Sequence, residues 1–285
     1  MHGRHPIDRV GGAERCRRRR SERRERPAAV GEPLGFRAAA FAGEHDERQV
    51  SGQPRVRPVP RGDGDRIGVI DEKGTVLRCD ILMTIYAREV LRNHSGAAII
   101  GDVKCSQVMF DEIARLGGQP IMWKTGHSLI KDKIAETGAP LAGELSGHIF
   151  FADKYYGFDD ALYCAVRLLN DVCESDGALS SLTKDLPVLF NTPEIRIEVD
   201  GDEKFQIVPR IIENLKNNLP AGMALDDIDG VRISNNHGWW LLRPSNTQDV
   251  LVCRAEADSE EHLERLKQMI LQEVEKVGYS IDFPA

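Results

Sequence analysis

The chain of 285 residues has a formal net charge of −7, a figure that conceals two unlike parts. Residues 1–60 hold fourteen Arg and no Lys and are net basic, while the remainder is net acidic. That length suffices for two domains of ordinary size, and no run approaches the length of apolar sequence that a transmembrane helix needs. The start of the chain has no apolar segment of the secretory type. The six cysteines, Cys16, Cys79, Cys105, Cys164, Cys173 and Cys253, are scattered without a C-x-x-C pair. Reduced thiols in a cytoplasmic protein are therefore expected, rather than a disulfide frame or a cysteine-based zinc site.

Residues 1–60 lack Lys, Asn, Tyr and Trp and contain a single Ile, Ile7. Neither a two-residue nor a 3.6-residue apolar period persists there, so the stretch offers no face to bury and disorder is expected. Its run Arg17-Arg18-Arg19-Arg20 suits a basic arm for nucleic acid, although interspersed acids and the lack of aromatic–basic alternation argue against that use. An Arg-, Ala-, Gly- and Pro-rich product starved of Lys, Asn and Tyr is also what a GC-rich gene yields out of frame. The other reading frames of the upstream DNA test that origin.

From residue 66 onward, strands and helices alternate. A strand is predicted over 67–71, a turn at 72–74, and an amphipathic helix over 80–92 with Asp80 as its N-cap. Next come a strand over 97–103, a helix over 106–116 closed by Gly117-Gly118, a strand over 119–124 and a helix over 127–137. Short strands over 141–145 and 149–151 precede a long helix over 159–174. This alternation predicts a mixed, mostly parallel α/β domain. The pattern changes near 176–187. A strand over 193–199, a helix over 205–218, strands over 230–234, 239–243 and 250–255, and a helix over 259–277 predict a smaller α+β domain.

Four polar stretches interrupt these elements. Gly62-Asp63-Gly64-Asp65-Arg66 places two carboxylates in a glycine-loosened loop; they are hard oxygen ligands suited to Mg²⁺, in a composition that also makes solvated turns. Lys124-Thr125-Gly126-His127-Ser128 lies where a strand passes into a helix, with Ser128 or Thr125 as candidate caps and the first helical amides as an anion site. Gly143-Glu144-Leu145-Ser146-Gly147-His148 combines acceptors and donors suited to vicinal sugar hydroxyls; His148 reads as a satisfied core histidine rather than a base. Arg243-Pro244-Ser245-Asn246-Thr247 offers a planar fork and hydroxyls for a phosphate. Trp239-Trp240 just before it reads as core or domain-interface packing.

The order of these stretches, followed by Arg254-Ala255-Glu256-Ala257, resembles the phosphohexomutase family, and within it the bacterial phosphomannomutase/phosphoglucomutase branch. The resemblance covers residues 61–285. It implies an isomerase of the phosphotransferase type that moves a phosphoryl group between C1 and C6 of mannose and glucose phosphates. A phosphoserine and a hexose 1,6-bisphosphate intermediate carry that transfer in the family. Under the resemblance, residues 61–78 are a remnant of the metal-binding second domain, 79–184 the sugar-binding third and 185–285 the phosphate-binding fourth. Asp63 and Asp65 match metal ligands, and Arg66 and Lys124 match groups near the transferring phosphate. His127, Glu144 and Ser146 match sugar contacts, while Arg243, Ser245, Asn246 and Thr247 match the distal-phosphate loop.

Three positions depart from the family pattern. Asp249 replaces a proline just past the phosphate loop. Arg61 stands where the first metal-binding Asp belongs, and a fixed cation about 4 Å from a divalent ion costs about 8 kcal/mol at an effective dielectric constant of 20. No serine upstream has a T-x-S-H-N context, and Ser21 and Ser51 lie in unsuitable surroundings. The expected product is a truncated mutase with negligible turnover of its own, partnered by hexose phosphates and not by membranes. The alternatives are a non-catalytic sugar-phosphate-binding protein and a nucleic-acid binder that uses the Arg-rich segment.

Overall fold

The structure, a computed structural model, describes residues 64–175, 178–199, 201–279 and 281. The expectations attached to residues 1–63 lie outside the described residues, including those for the Arg-rich segment, Arg61 and Asp63.

Two sheets organise the rest. In the first, β3 (Ala98–Asp102) is central and runs parallel to β4 (Gln119–Trp123) and β5 (Leu141–Gly143), and β6 (Ile149–Phe151) closes the edge antiparallel to β5. Successive side chains of a strand face opposite ways, and the sheet uses both faces. Ile99, Leu141, Ile149 and Phe151 join one core with α1 (Cys79–Asn93), α2 (Gln107–Arg115) and α4 (Ala161–Glu174). Ile100, Ala142 and Phe150 join the opposite core with Ile130 and Ile134 of α3 (His127–Thr137). A hairpin of β1 (Val69–Ile70) and β2 (Val76–Leu77) adds Ile67, Val69 and Leu77 to the first core. Its turn is held by Asp71, whose carboxylate accepts from the amides of Lys73 and Thr75.

The second sheet is antiparallel: β7 (Phe190–Asn191) and β8 (Ile195–Glu198) both pair with β12 (Val250–Ala257), followed by β11 (Gly238–Pro244), β10 (Val231–Asn235) and β9 (Ala224–Asp226). One face buries Trp240, Leu242, Leu251 and Cys253 under α5 (Lys204–Asn218) and α6 (Glu260–Lys276). The other face turns Trp239 and Leu241 toward Val103, at the end of β3. Charged residues complete that junction. Glu256, fully buried, accepts from Ser106 Oγ at 2.8 Å, Gln107 N at 3.0 Å and Trp239 Nε1 at 3.0 Å. Arg254 donates to the Lys104 carbonyl and Arg232 to the Val103 carbonyl, while the Arg232 guanidinium lies 3.7 Å from the centre of the Trp239 ring.

Most predicted elements form within a residue or two of their expected ends. Asp80 is a correction: the N-cap of α1 is Arg78, without a side-chain cap. Asp80 instead sits inside the first turn, where its carboxylate accepts from Ile81 N and from Ser106 N, 26 residues away. Ser106, Asp160 and Ser259 do cap α2, α4 and α6, each accepting an amide of the first turn. Sequence reading missed β2, β7 and β9, which are two or three residues long. Such pieces are too short to show a period.

Asp171, on α4, is buried, and neither of its carboxylate oxygens has a hydrogen-bond partner among the described residues. Burial and the nearby Glu89 carboxylate push its pKa up to about 7. Between the ordinary Asp value and that raised value the native state holds a proton that the unfolded chain has released. Stability contributed at this site therefore falls as pH rises from about 4 to about 7. Asp171→Asn is expected to raise the melting temperature at pH 8 and to flatten this part of the stability–pH curve. Unchanged melting profiles at pH 5 and pH 8 would contradict that account.

Candidate functional site

Three loops at the carboxyl ends of adjacent parallel strands form the polar end of the first sheet. Crevices at such strand ends are where open α/β sheets hold ligands. Asp102 ends β3, Thr125 follows β4 and Glu144 follows β5. Asp102, fully buried, accepts from Thr125 Oγ1 at 3.1 Å and Cys105 Sγ at 3.1 Å. Glu144 is 2% exposed and accepts from Gly126 N at 2.5 Å and Ser146 Oγ at 3.3 Å. Burial and the Asp102 carboxylate raise its pKa above the ordinary carboxylate value. Glu144 is thus an anchored acceptor aimed at the loop that opens α3.

That loop corrects one expectation. Neither Thr125 nor Ser128 caps α3; the N-cap is Gly126, with φ 139° and no side-chain cap. Thr125 is bonded to Asp102 instead, and Ser128 is exposed. Lys124 and His127 are both exposed beside this helix start.

The 144–148 turn is built by Glu144 N donating to the His148 carbonyl and Gly147 N donating to the Glu144 carbonyl. Gly147 has φ 102°, and its carbonyl accepts from Ile67 N at 3.1 Å. A Cβ there would lie 3.1 Å from the Ile67 carbonyl oxygen, so glycine allows the close approach. Arg66 and His148 form an isolated antiparallel bridge that sets Asp65 and Arg66 over this turn. His148 is buried, as expected, but it is not isolated. Its Nδ1 lies 2.7 Å from Asp159 Oδ2 and 3.6 Å from Asp65 Oδ2, and Lys131 Nζ lies 2.7 Å from Asp159 Oδ1. Burial and the Arg66 charge lower the His148 pKa, against the opposing pull of the Asp159 and Asp65 carboxylates. Asp65, His148 and Asp159 each offer one ligand atom, and these lie within 4.8 Å of one another.

The second sheet closes the site from the other side. Arg243, buried at the end of β11, makes a two-pronged pair with Asp229: Nε–Oδ2 is 3.0 Å and Nη2–Oδ1 is 3.3 Å. The same Asp229 Oδ2 accepts from Thr125 N at 2.9 Å, and Asn246 Nδ2 donates to the Thr125 carbonyl at 3.4 Å. Asp229 and Asn246 therefore tie the Arg243 loop to the loop that opens α3. Within the Arg243 loop, Ser245 Oγ accepts from the amides of Thr247 and Gln248, and Ser245 N donates to the Val250 carbonyl. Asn246 and Thr247 are exposed at the tip. Asp249 is held by Lys204, whose ammonium reaches Asp249 Oδ1 at 3.0 Å and the Gln248 carbonyl at 2.6 Å. An ion pair from α5 thus steadies the loop where the family pattern has a proline.

Sequence reading passed over Asp102, Asp159 and Asp229. Each had a faint signal: Asp102 ends an apolar strand, Asp159 precedes a helix-capping Asp, and Asp229 precedes a glycine. Acids at strand and helix ends are common, so only their convergence in space separates these three.

The architecture sets the polar strand ends of a parallel α/β sheet against an Arg-bearing loop of a second, antiparallel unit. Family models described as phosphoglucomutase/phosphomannomutase, alpha/beta/alpha domain III, and phosphoglucomutase/phosphomannomutase, C-terminal domain, match residues 78–190 and 194–273. The phosphomannomutase/phosphoglucomutase of Pseudomonas aeruginosa is 45% identical over 224 residues, which are 78% of this chain and 48% of that protein. A phosphoglucomutase of Neisseria meningitidis is 39% identical over 207 residues, 72% of this chain and 44% of that protein. A solved phosphoglucomutase/phosphomannomutase family protein of Burkholderia thailandensis superposes with a TM-score of 0.71 at 39% identity, covering 78% of this chain and 47% of its own. The chain belongs to the phosphoglucomutase/phosphomannomutase family. It spans about half the length of the curated relatives it matches.

Proposed function

We propose that residues 64–281 form the sugar- and phosphate-gripping part of a phosphohexomutase acting on mannose and glucose phosphates in the cytoplasm. The thiols of Cys79, Cys105, Cys164 and Cys253, buried and outside any disulfide among the described residues, support that compartment. The observation that carries the reading is the link through Thr125 and Gly126, which ties the Glu144 turn to the Arg243 loop.

In this reading Glu144 and Ser146 accept from and donate to vicinal hydroxyls, and His127 and Lys124 approach from the start of α3. The distal phosphate takes the exposed tip of the second loop, Asn246 and Thr247, with the Ser245 amide region and the Arg243 guanidinium behind it. Arg66, bridged to His148, stands toward the phosphoryl group in transit. Residues 61–78, 79–184 and 185–285 correspond to the metal-holding, sugar-reading and phosphate-holding units.

Asp65 together with Asp63 would hold Mg²⁺, against the opposing charge of Arg61, and the ion would supply charge neutralisation for the phosphoryl group. The oxygen of Asp65 suits a hard cation, whereas the His148 nitrogen nearby is a softer donor. The reading concerns the binding of hexose phosphates by residues 64–281.

Isothermal titration with glucose 1-phosphate tests the proposal. Expected are saturable binding and a loss of about tenfold or more in Glu144→Ala and in Arg243→Ala. Binding insensitive to both substitutions sinks the site.

A further inference from the structure

At the end of β11 opposite the Arg243 loop, His237, Asp258 and His262 meet on the surface of the second unit. His237 precedes β11, Asp258 follows β12 and His262 lies in the first turn of α6, so three elements converge. His237 Nδ1 lies 2.9 Å from Asp258 Oδ2, His262 Nδ1 lies 2.5 Å from Asp258 Oδ1, and the two ring centres are 4.1 Å apart. One ligand atom from each residue falls within 4.8 Å of the others.

The backbone under this trio is pinned. Asn235 Oδ1 accepts from the amides of His237 and Gly238, and Asp258 N donates to the His237 carbonyl at 2.9 Å. Ser259 Oγ caps α6 by accepting from His262 N. A Cβ on Gly238 would lie 2.2 Å from the Glu256 carbonyl oxygen, so the hairpin is pressed against β12 at this point. The cluster therefore belongs to a rigid corner of the fold, and only the side chains need adjust to a ligand.

We infer that His237, Asp258 and His262 form a surface site for a borderline-soft divalent cation of the Zn²⁺ class, separate from the sugar-phosphate cleft. Two imidazoles and one carboxylate are the donor set that such ions take, with bonds of about 2.0–2.2 Å, and three protein ligands leave a position for water. The ion takes the place of the Nδ1–H contacts to Asp258: in the bound form the proton of each ring has moved from Nδ1 to Nε2, which frees the Nδ1 lone pair to ligate, and the Asp258 carboxylate supplies the negative charge. Mg²⁺ prefers an all-oxygen octahedral shell and is a poor occupant. The bound ion would clamp the β10–β11 turn to the start of α6.

Titration of the full, untagged chain with Zn²⁺ alone, by calorimetry and by thermal unfolding, tests the site. Expected are micromolar binding of one equivalent at this cluster and a higher melting temperature. His237→Ala and His262→Ala should each weaken that event about tenfold or more, while His148→Ala leaves it in place and millimolar Mg²⁺ does not displace the ion. Asp258→Asn, isosteric and on an exposed position, serves if either histidine variant folds poorly, with the same loss expected. The assignment is overturned if Zn²⁺ does not bind, if binding survives in His237→Ala and His262→Ala, or if only His148→Ala removes it.

Discussion

Glu256→Ala is expected to destabilise the chain by about 3–5 kcal/mol, the cost of removing one member of a buried charged cluster. The carboxylate has no exposed surface and accepts four hydrogen bonds, two from residues at the start of α2, one from Trp239 and one from Arg78. The guanidinium groups of Arg78 and Arg254 also lie 3.5 and 3.6 Å from it. Without the anion, two cations remain at the junction with less to balance them, and the Ser106 and Trp239 donors lose their acceptor. Because the cluster joins the two sheets, the variant should also unfold less cooperatively. Urea unfolding followed by tryptophan fluorescence and by far-ultraviolet circular dichroism checks this, with non-coincident transitions expected. A loss below about 1 kcal/mol with coincident transitions would show that the junction is held by Trp239, Leu241 and Val103 instead.

Gly230→Ala is the second large effect. Gly230 has φ 89°, and an added Cβ would lie 2.5 Å from both the Leu242 carbonyl oxygen and Arg243 Cβ. The strained backbone costs on the order of 1–3 kcal/mol, and the overlap must be relieved by moving β11 at Arg243. That movement loosens the pair between Arg243 and Asp229, and with it the link to Thr125. Expected are a loss of about 3 kcal/mol or more in stability and weaker glucose 1-phosphate binding. Gly222 is the comparison: its φ is 82°, yet an added Cβ meets nothing within 4 Å. Gly222→Ala should therefore show the backbone cost alone and leave the ligand affinity as it was. Equal effects at the two glycines would refute the role given to the Arg243 contact.

The contrast between these glycines shows where sequence reading stops. Both lie between a helix or strand and the next strand and share a positive φ; only the approach of β11 makes Gly230 irreplaceable. Asp80 teaches the same lesson. Its place before an amphipathic stretch suits an N-cap, but Ser106 and the arginines of the junction claim its carboxylate, and α1 starts a residue earlier. The Arg254-Ala255-Glu256-Ala257 stretch, quoted as a signature of the family, is buried glue between sheets rather than part of the cleft wall.

Apolar periodicity made most of the succession of helices and strands legible, because it reports local burial; the caps named from sequence, Asp80 and Thr125 or Ser128, were not the ones the helices use. The same local order placed Lys124, Glu144 and Arg243 at element ends. Tertiary structure decided which acids matter: Asp102, Asp159 and Asp229 gain their partners from residues 23, 11 and 104 positions away. It also supplied Asp159 as the partner that satisfies the core histidine His148, and gathered His237, Asp258 and His262 at one corner. A hydrogen bond or an ion pair acts over a few ångströms of space, and distance along the chain says little about distance across a folded cleft.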